Sequence, residues 1–370
     1  MSTAESLQQK IEDTLSAKDQ SACDYFGLIS ELAKKKEASG LDWQKYINNL
    51  YEKVHEEIIF NHGRPGSNVS FGTSGWRGIL GKDLFCKSVA QVCLAIVEMY
   101  KKPETIKELN DVLGVNSFKE ACNKGCVIGF DNRFDGDVLA RVAAKVFTGE
   151  GIKVFYAGET TTGVLSAAVL HFQAAFSINF TPSHNPLEYG GLKFNASDGG
   201  PAASQITSYI TKKANSIIDE NRLPDNFSVG DHVNENTLAE FEAIDSLRLW
   251  QQLVISNSKV HGVQYEKIIK EFEKNKDIVV VIDSVHGASR HHMRKLFNDT
   301  KSDRLIQLRG EKDVTFGGVA PEPSSENMMK AIVTLQERKE KLKRNYRRKR
   351  GKDWNNHNSH TDFVRQKRIR

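Results

Sequence analysis

Cysteine and long apolar runs are scarce in this chain, and each scarcity excludes something. Of its 370 residues only five are cysteines, Cys23, Cys86, Cys93, Cys122 and Cys126, and their spacing is irregular. That excludes a disulfide scaffold and points to a reducing compartment. Cys122 and Cys126 stand four apart, which does not fit a CxxC zinc or redox pair, so both read as ordinary buried thiols. The opening MSTAESLQQKIEDTLS is polar and has neither the basic start nor the apolar stretch of a signal peptide. The longest uncharged run, Gly163 to Ser183, is broken by Ser166, Gln173, Ser177 and Asn179. It reads as a buried helix and strand rather than a membrane span. A cytoplasmic protein with no membrane partner is the expectation.

The charge balance is uneven. The net charge of +5 hides a tail, residues 336–370, with 14 Lys/Arg against 4 Asp/Glu, a net of +10. The other 335 residues therefore sum to −5. The body is mildly acidic, and any argument for nucleic acid rests on the tail alone. Aromatics there are few (Tyr346, Trp354 and Phe363), so a solvated charge run is the expected reading over an anionic-polymer binder. At 39% hydrophobic and 27% charged residues the composition is that of a globular protein with room for about two domains.

Periodicity divides the chain into four parts. Residues 1–60 read as helices: Leu7, Ile11 and Leu15 form one stripe, and Trp43, Ile47, Leu50, Tyr51, Val54 and Ile58 a second, with Ser39-Gly40 between them. The second stripe is expected to dock on the next domain. Residues 61–235 alternate strand and helix, with strands at Gly125–Asp131, Lys153–Ala157 and Ala174–Asn179 and a helix marked by Val138, Val142 and Val146. This implies an α/β fold with a mixed, largely parallel sheet flanked by helices. Functional loops are then expected at the carboxyl ends of the strands. Residues 236–330 repeat the architecture, with a helix at Tyr265–Asn275, a fully buried strand at Ile278–Asp283, a turn at Val285–Ala288 and a helix to about Phe297. Residues 331–370 lack apolar periodicity and read as a basic, disordered tail, or at most a solvated helix.

Three segments carry chemistry. Thr181-Pro-Ser-His-Asn-Pro186 follows a buried strand, and its two prolines stiffen the loop that presents Ser183. His184 is a proton-transfer candidate, and Lys193, ten residues after the serine in Gly190-Gly-Leu-Lys-Phe-Asn195, can place a charge on phosphate or shuttle a proton. Phe71-Gly-Thr-Ser-Gly-Trp-Arg-Gly78 is a glycine-rich turn whose backbone amides can approach an anion and whose Arg77 can fork onto phosphate oxygens. Gly129-Phe-Asp-Asn-Arg133 ends a strand in Asp131 and Arg133, which an ordinary ion pair explains as well as a functional role does. The run Asp131–Gly136 is not a calcium loop, because its third position is Arg133 and its twelfth Val142. His286, His291 and His292 are poor metal candidates, since adjacent histidines on a helix face different directions.

Read together, these segments resemble the phosphohexomutases, the family of phosphoglucomutases and phosphomannomutases. TPSHNP with GGLKFN is similar to the family's TASHNP loop and its downstream NGxK segment, FGTSGWRG to its FGTSGxRG loop, and GFDNR to its GxDxR strand end. Pro182 in place of the usual alanine leaves the Ser-His-Asn-Pro core intact. The resemblance implies that Ser183 is the phosphoryl carrier and, as phosphoserine, a ligand of Mg2+. It implies His184 and Lys193 as acid/base groups and Arg77 as a catalytic cation. It implies Thr73, Ser74, Arg133 and Asn185 as phosphate or substrate contacts, with support of the phosphoserine loop as the alternative for Asp131 and Arg133. The partner implied is a sugar phosphate, interconverted between 1- and 6-phosphate, with a sugar 1,6-bisphosphate as activator. Asp283–Ala288 and Phe316–Pro323 also look like family segments and read as mainly structural.

The resemblance covers about residues 65–329. The family's Asp-x-Asp-x-Asp-Arg magnesium loop would come next, and no aspartate triplet with that spacing occurs in the chain. Its sugar-recognition loop and its fourth, phosphate-binding domain are also lacking. The expectation is a chain truncated after domain two, its reading frame shifted or interrupted near Met329, and little or no turnover by this form. Choice among hexoses and oligomeric state are open at this stage.

Overall fold

The computed structural model describes residues 3–17, 22–36, 42–72, 75–225, 227–228, 241–300 and 302–350. The N-terminal part is three helices, α1 (Thr3–Leu15), α2 (Tyr25–Lys35) and α3 (Trp43–Phe60). The expected stripe of α3, from Trp43 through Ile58, is buried along its length. Helix α2 starts where Asp24 accepts a bond from Gly27 N at 2.8 Å, an N-cap that satisfies one of the free amides of the first turn. The break expected at Ser39-Gly40 lies outside the described residues.

Strands β1 (Phe71–Gly72) and β2 (Gly75–Ile79) lead into α4 (Cys86–Lys101), α5 (Pro103–Leu113) and α6 (Phe118–Lys124). The α/β alternation then runs β3 (Cys126–Phe130), α7 (Gly136–Gly149), β4 (Val154–Glu159), α8 (Thr162–Phe172), β5 (Phe176–Phe180), β6 (Tyr189–Asn195), α9 (Ser204–Asp219) and β7 (Glu242–Ala243). These strands make one seven-stranded sheet in the order β1-β2-β6-β5-β3-β4-β7. The half around β3 is parallel, and β5, β6, β2 and β1 continue it as antiparallel neighbours. The mixed α/β fold is as expected. The antiparallel side has no counterpart in the sequence reading, because β6 and β2 are rich in glycine and the alternation of β6 spans only Leu192 to Asn195.

Helix α4 is buried at nearly every position, from Cys86 to Tyr100, because it lies between α7 and α9. Its polar stripe, Lys87, Gln91, Glu98 and Lys101, is largely covered, with Lys87 and Gln91 buried. Beneath it Phe176 stacks on Tyr100 (5.3 Å between centroids) and Phe194 (5.4 Å) and meets Phe147 edge-on at 5.2 Å. This aromatic cluster anchors β5, the strand that delivers the serine loop.

The second unit comprises α10 (Ser246–Ser256), α11 (Ser258–His261), α12 (Tyr265–Lys274), β8 (Val280–Asp283), α13 (Arg290–Leu296), β9 (Leu305–Leu308), a 3-10 turn at Phe316–Gly318, and α14 (Met329–Arg350). Two expectations change here. First, β7 pairs with β4 and α10 packs on α8, so the first domain's packing continues past the expected boundary at 235. Second, β8 is half-buried rather than fully buried. It belongs to a two-stranded parallel sheet with β9, too narrow to be enclosed on both faces. Residues 331–350, expected to be disordered or at most a solvated helix, take the second form and continue the helix α14. Lys, Arg, Glu and Gln are good helix formers, and their charges stay in water while Glu340 pairs with Lys343 at 2.9 Å. Residues 351–370 lie outside the described residues. Among the described residues no helix is long and apolar enough to cross a membrane.

Candidate active site

The site is built where β5 ends. Thr181 and Pro182 are buried, while Ser183 and His184 are exposed at the tip of the loop. Ser183 adopts φ +68°, a left-handed conformation that a non-glycine residue holds only when its surroundings impose it. The surroundings are specific. Thr181 Oγ1 donates to Asp131 Oδ2 at 2.6 Å and accepts from Ser183 N at 3.1 Å. Asp131 Oδ1 accepts from Arg133 N at 3.0 Å. The guanidinium of Arg133 then donates to the carbonyls of Ser183 (3.3 Å), Asn185 and Pro186. A hydroxyl two residues before the serine and one buried arginine thus pin the loop from behind.

This resolves the two readings of the Asp131/Arg133 strand end. The Arg133 side chain is 3% exposed, faces backbone carbonyls, and is covered by the Phe316 ring, with its guanidinium carbon 5.0 Å from the centroid. The expected contact between Arg133 and a substrate phosphate is therefore corrected: Arg133 is spent on the loop. Burial raises the Asp131 carboxyl above its ordinary range, although the Arg133 charge and the Thr181 hydrogen bond both oppose the rise. Asn185 Oδ1 is buried with no hydrogen-bond partner among the described residues.

The cationic side of the site comes from β6 and β2. Arg77 on β2 lies opposite Gly191 on β6, and Lys193 lies opposite Asn179 on β5. Residues two apart on a strand share a face, so Arg77, Lys193 and Asn179 line the same face of the sheet. The electrostatics agree. The Lys193 ammonium is lowered from the ordinary lysine range, first by burial and then by the Arg77 charge, with Asp131 opposing. Arg77 is exposed.

Two glycines make this close packing possible. At Gly191 a Cβ would sit 2.7 Å from Thr181 O and 3.0 Å from Pro182 Cα, because the serine loop crosses directly over β6. At Gly75, with φ +134°, a Cβ would sit 2.5 Å from Leu192 O and 2.9 Å from Lys193 Cα. Thr73 and Ser74, expected to contact phosphate, lie outside the described residues.

His184 places Nδ1 3.3 Å from Ser183 Oγ, within reach for proton exchange with a group on that oxygen. A cavity of about 310 Å3 opens beside the loop, bounded by Ser183, Asp131 and the start of α8 on one side and by Asp283–Ser289 of the second unit on the other. The second unit is held against this wall. Arg290 forks onto Glu159, with Nη2 2.6 Å from Oε2, and Asn132 Nδ2 donates to the carbonyls of His286 (2.5 Å) and Asp313 (3.1 Å). His286, His291 and His292 do not converge. Among the described residues no group of three or more His, Cys, Asp or Glu side chains could hold a metal ion. The nearest carboxylate, Asp131, already accepts two hydrogen bonds. The described residues therefore do not by themselves make the expected Mg2+ site.

Sequence reasoning missed Thr181 as the link between Asp131 and the serine amide, although a threonine two residues before a turn residue is a recognised side-chain-to-backbone bonding position. It also missed Asn179, whose buried Oδ1 has no partner among the described residues, because strand periodicity alone marked it as core.

Comparison with known proteins agrees with this geometry. Residues 68–221 match the family model described as phosphoglucomutase/phosphomannomutase, alpha/beta/alpha domain I. Among curated relatives, the phosphoglucosamine mutase of Caldicellulosiruptor bescii is 24% identical over 249 residues, covering 66% of this chain and 46% of the relative. The phosphoglucomutase of Staphylococcus epidermidis is 28% identical over 295 residues, covering 74% of this chain and 44% of the relative. The chain thus spans a little under half the length of these relatives. The crystal structure of a Thermus thermophilus protein assigned as a phosphomannomutase shares the fold, with a TM-score of 0.52 at 24% identity over 73% of this chain and 52% of that one. Residues 68–221, with the serine loop at the end of β5, thus carry the α/β/α domain I of the phosphoglucomutase/phosphomannomutase family.

Proposed function

We propose that Ser183 is a phosphoryl carrier in a phosphoglucomutase-like interconversion of sugar 1-phosphate and 6-phosphate. The observation that carries this reading is the serine's placement. It is exposed on a strained loop whose backbone is fixed from behind by Thr181, Asp131 and Arg133. Phosphoryl transfer asks mainly for positioning and charge stabilisation, and a fixed hydroxyl beside a cationic sheet face provides both. In the forward half-reaction the P–Oγ bond of phosphoserine breaks and a bond forms from phosphorus to a sugar hydroxyl oxygen. The proton of that hydroxyl passes to a base, and Ser183 Oγ is left to be rephosphorylated by the other phosphate of the bisphosphate. His184 is the nearest candidate for proton exchange at Oγ. Lys193, lowered by burial and by Arg77, releases a proton more readily than an exposed lysine, and Arg77 supplies charge to the phosphate. Thr73, Ser74 and Asn185 complete the phosphate contacts by their place in the motifs. A divalent metal would neutralise phosphate charge in such a step. No part of this scheme is routed through one, because the described residues do not form its site.

A second reading is a homologue that keeps the carrier loop and lacks turnover. It is favoured by the lack of an Asp-x-Asp-x-Asp-Arg segment in the sequence. Intact-mass analysis after incubation with glucose 1,6-bisphosphate tests the carrier directly. One added phosphate, lost in Ser183→Ala, is expected, whereas an unmodified serine under all conditions would sink the proposal. A coupled mutase assay on the same sample then separates the two readings, and the 370-residue form is expected to show the phosphate with little or no turnover.

A further inference from the structure

We propose that α3 of the N-terminal helical part is a positioning element for the serine loop, acting through residues 133–135; this rests on the carrier reading of Ser183. The segment Arg133-Phe134-Asp135 turns sharply between β3 and α7, and α3 holds two of its three side chains. Tyr51 stacks on Phe134 with centroids 4.2 Å apart and rings 24° from parallel. His55 Nδ1 lies 2.6 Å from Asp135 Oδ2. Asp135 has φ +53° and stands at the N-cap of α7, yet its side chain makes no capping bond there. An aspartate at an N-cap ordinarily accepts from its own helix, so its commitment to His55 is a contact made at the helix's expense. A strained left-handed residue keeps its conformation when a neighbour over-determines it, and His55 is that neighbour.

The third side chain, Arg133, carries the restraint to the site. Its guanidinium donates to the carbonyls of Ser183, Asn185 and Pro186. The N-terminal helices also fix what covers that guanidinium. Ser30 Oγ of α2 donates to Gly318 O at 3.1 Å, and Tyr51 OH donates to Val314 O at 3.3 Å. Those two bonds flank Phe316, whose ring lies on Arg133. The helical part therefore grips both the segment that bears Arg133 and the turn that shields it. Loosening α3 reaches the serine loop by way of Arg133.

Amide hydrogen exchange on the full chain tests this without relying on phosphoryl transfer. In His55→Ala, exchange is expected to rise about tenfold or more at residues 133–136 and 183–189, with β3, β4 and β5 unchanged. His55→Gln, which can still donate to Asp135, should restore protection to within about threefold of wild type. Phosphate uptake from glucose 1,6-bisphosphate should slow about tenfold in His55→Ala at an unchanged half-saturating concentration, the pattern of a misplaced group rather than a lost contact. Loosening confined to 133–136, or uniform loss of protection across all strands, overturns the proposal. A wild-type chain that takes up no phosphate defeats the carrier reading instead, and the exchange result then decides the positioning claim alone.

Discussion

Ser183 shows how a single residue's conformation can be decided far from its own side chain. Its left-handed φ is held by Thr181 in the same loop and by Arg133, fifty residues away in sequence. The motif TPSHNP was legible in the sequence as a stiffened loop after a buried strand. The direction of Arg133 was not, because an Asp-Asn-Arg strand end reads identically whether the guanidinium faces solvent or the protein interior. Lys193 offers the prediction at this scale. Its folded pKa is lowered, so the unfolded chain, near the ordinary value of about 10.4, binds more protons across the window between the two. Stability therefore rises with pH through that window. Lys193→Met lacks this rise and is expected to be more stable than wild type at neutral pH, with the advantage shrinking at alkaline pH. Urea unfolding at the two pH values checks this, and a constant difference would contradict it.

Strands β5 and β6 show the same dependence at the level of elements. The periodicity that located β5 said nothing of β6, whose Gly190-Gly191 pair looks like a turn when read alone. The glycines are there because the serine loop lies on the strand, and Gly191 leaves no room for a Cβ beneath Thr181 and Pro182. Gly191→Ala should push the loop outward while leaving the sheet formed. Phosphate uptake is expected to fall by about tenfold or more, with a stability loss of about 1–3 kcal/mol, the usual range for overpacking. Unchanged uptake, measured by intact mass over time, would show that the loop tolerates displacement.

Across the whole molecule, the two units are joined by apolar packing of α10 on α8 and of Phe316 on the main core, and by a few buried polar contacts. Arg290 is 1% exposed at its side chain and forks onto Glu159 at the end of β4. Removing one partner of a buried pair strands the other charge and costs about 3–5 kcal/mol. Arg290→Ala is therefore expected to release the second unit, so that urea unfolding gains an early transition seen by exchange in α12, β8 and α13 while β3–β5 stay protected. A single transition at the wild-type midpoint would show that the α8–α10 packing is enough to hold the units together. The helix Met329–Arg350 extends from this second unit with Ile332, Val333 and Leu335 more than a third exposed, a distribution that amphipathic patterning alone did not anticipate.

By itself the sequence determined the α/β class, the helical stripes of the N-terminal part and of α7, and the three segments that resemble family motifs. Those features are local: a 3.6-residue period, a buried apolar run, or a short motif is complete within one stretch of chain. Only the tertiary structure decided that Arg133 serves the loop rather than a ligand, that Thr181 links Asp131 to the serine amide, and that α3 reaches the site through His55 and Asp135. Each of those is a contact between residues distant in sequence, fixed by strand register and packing, and nothing in either residue's own neighbourhood encodes its partner.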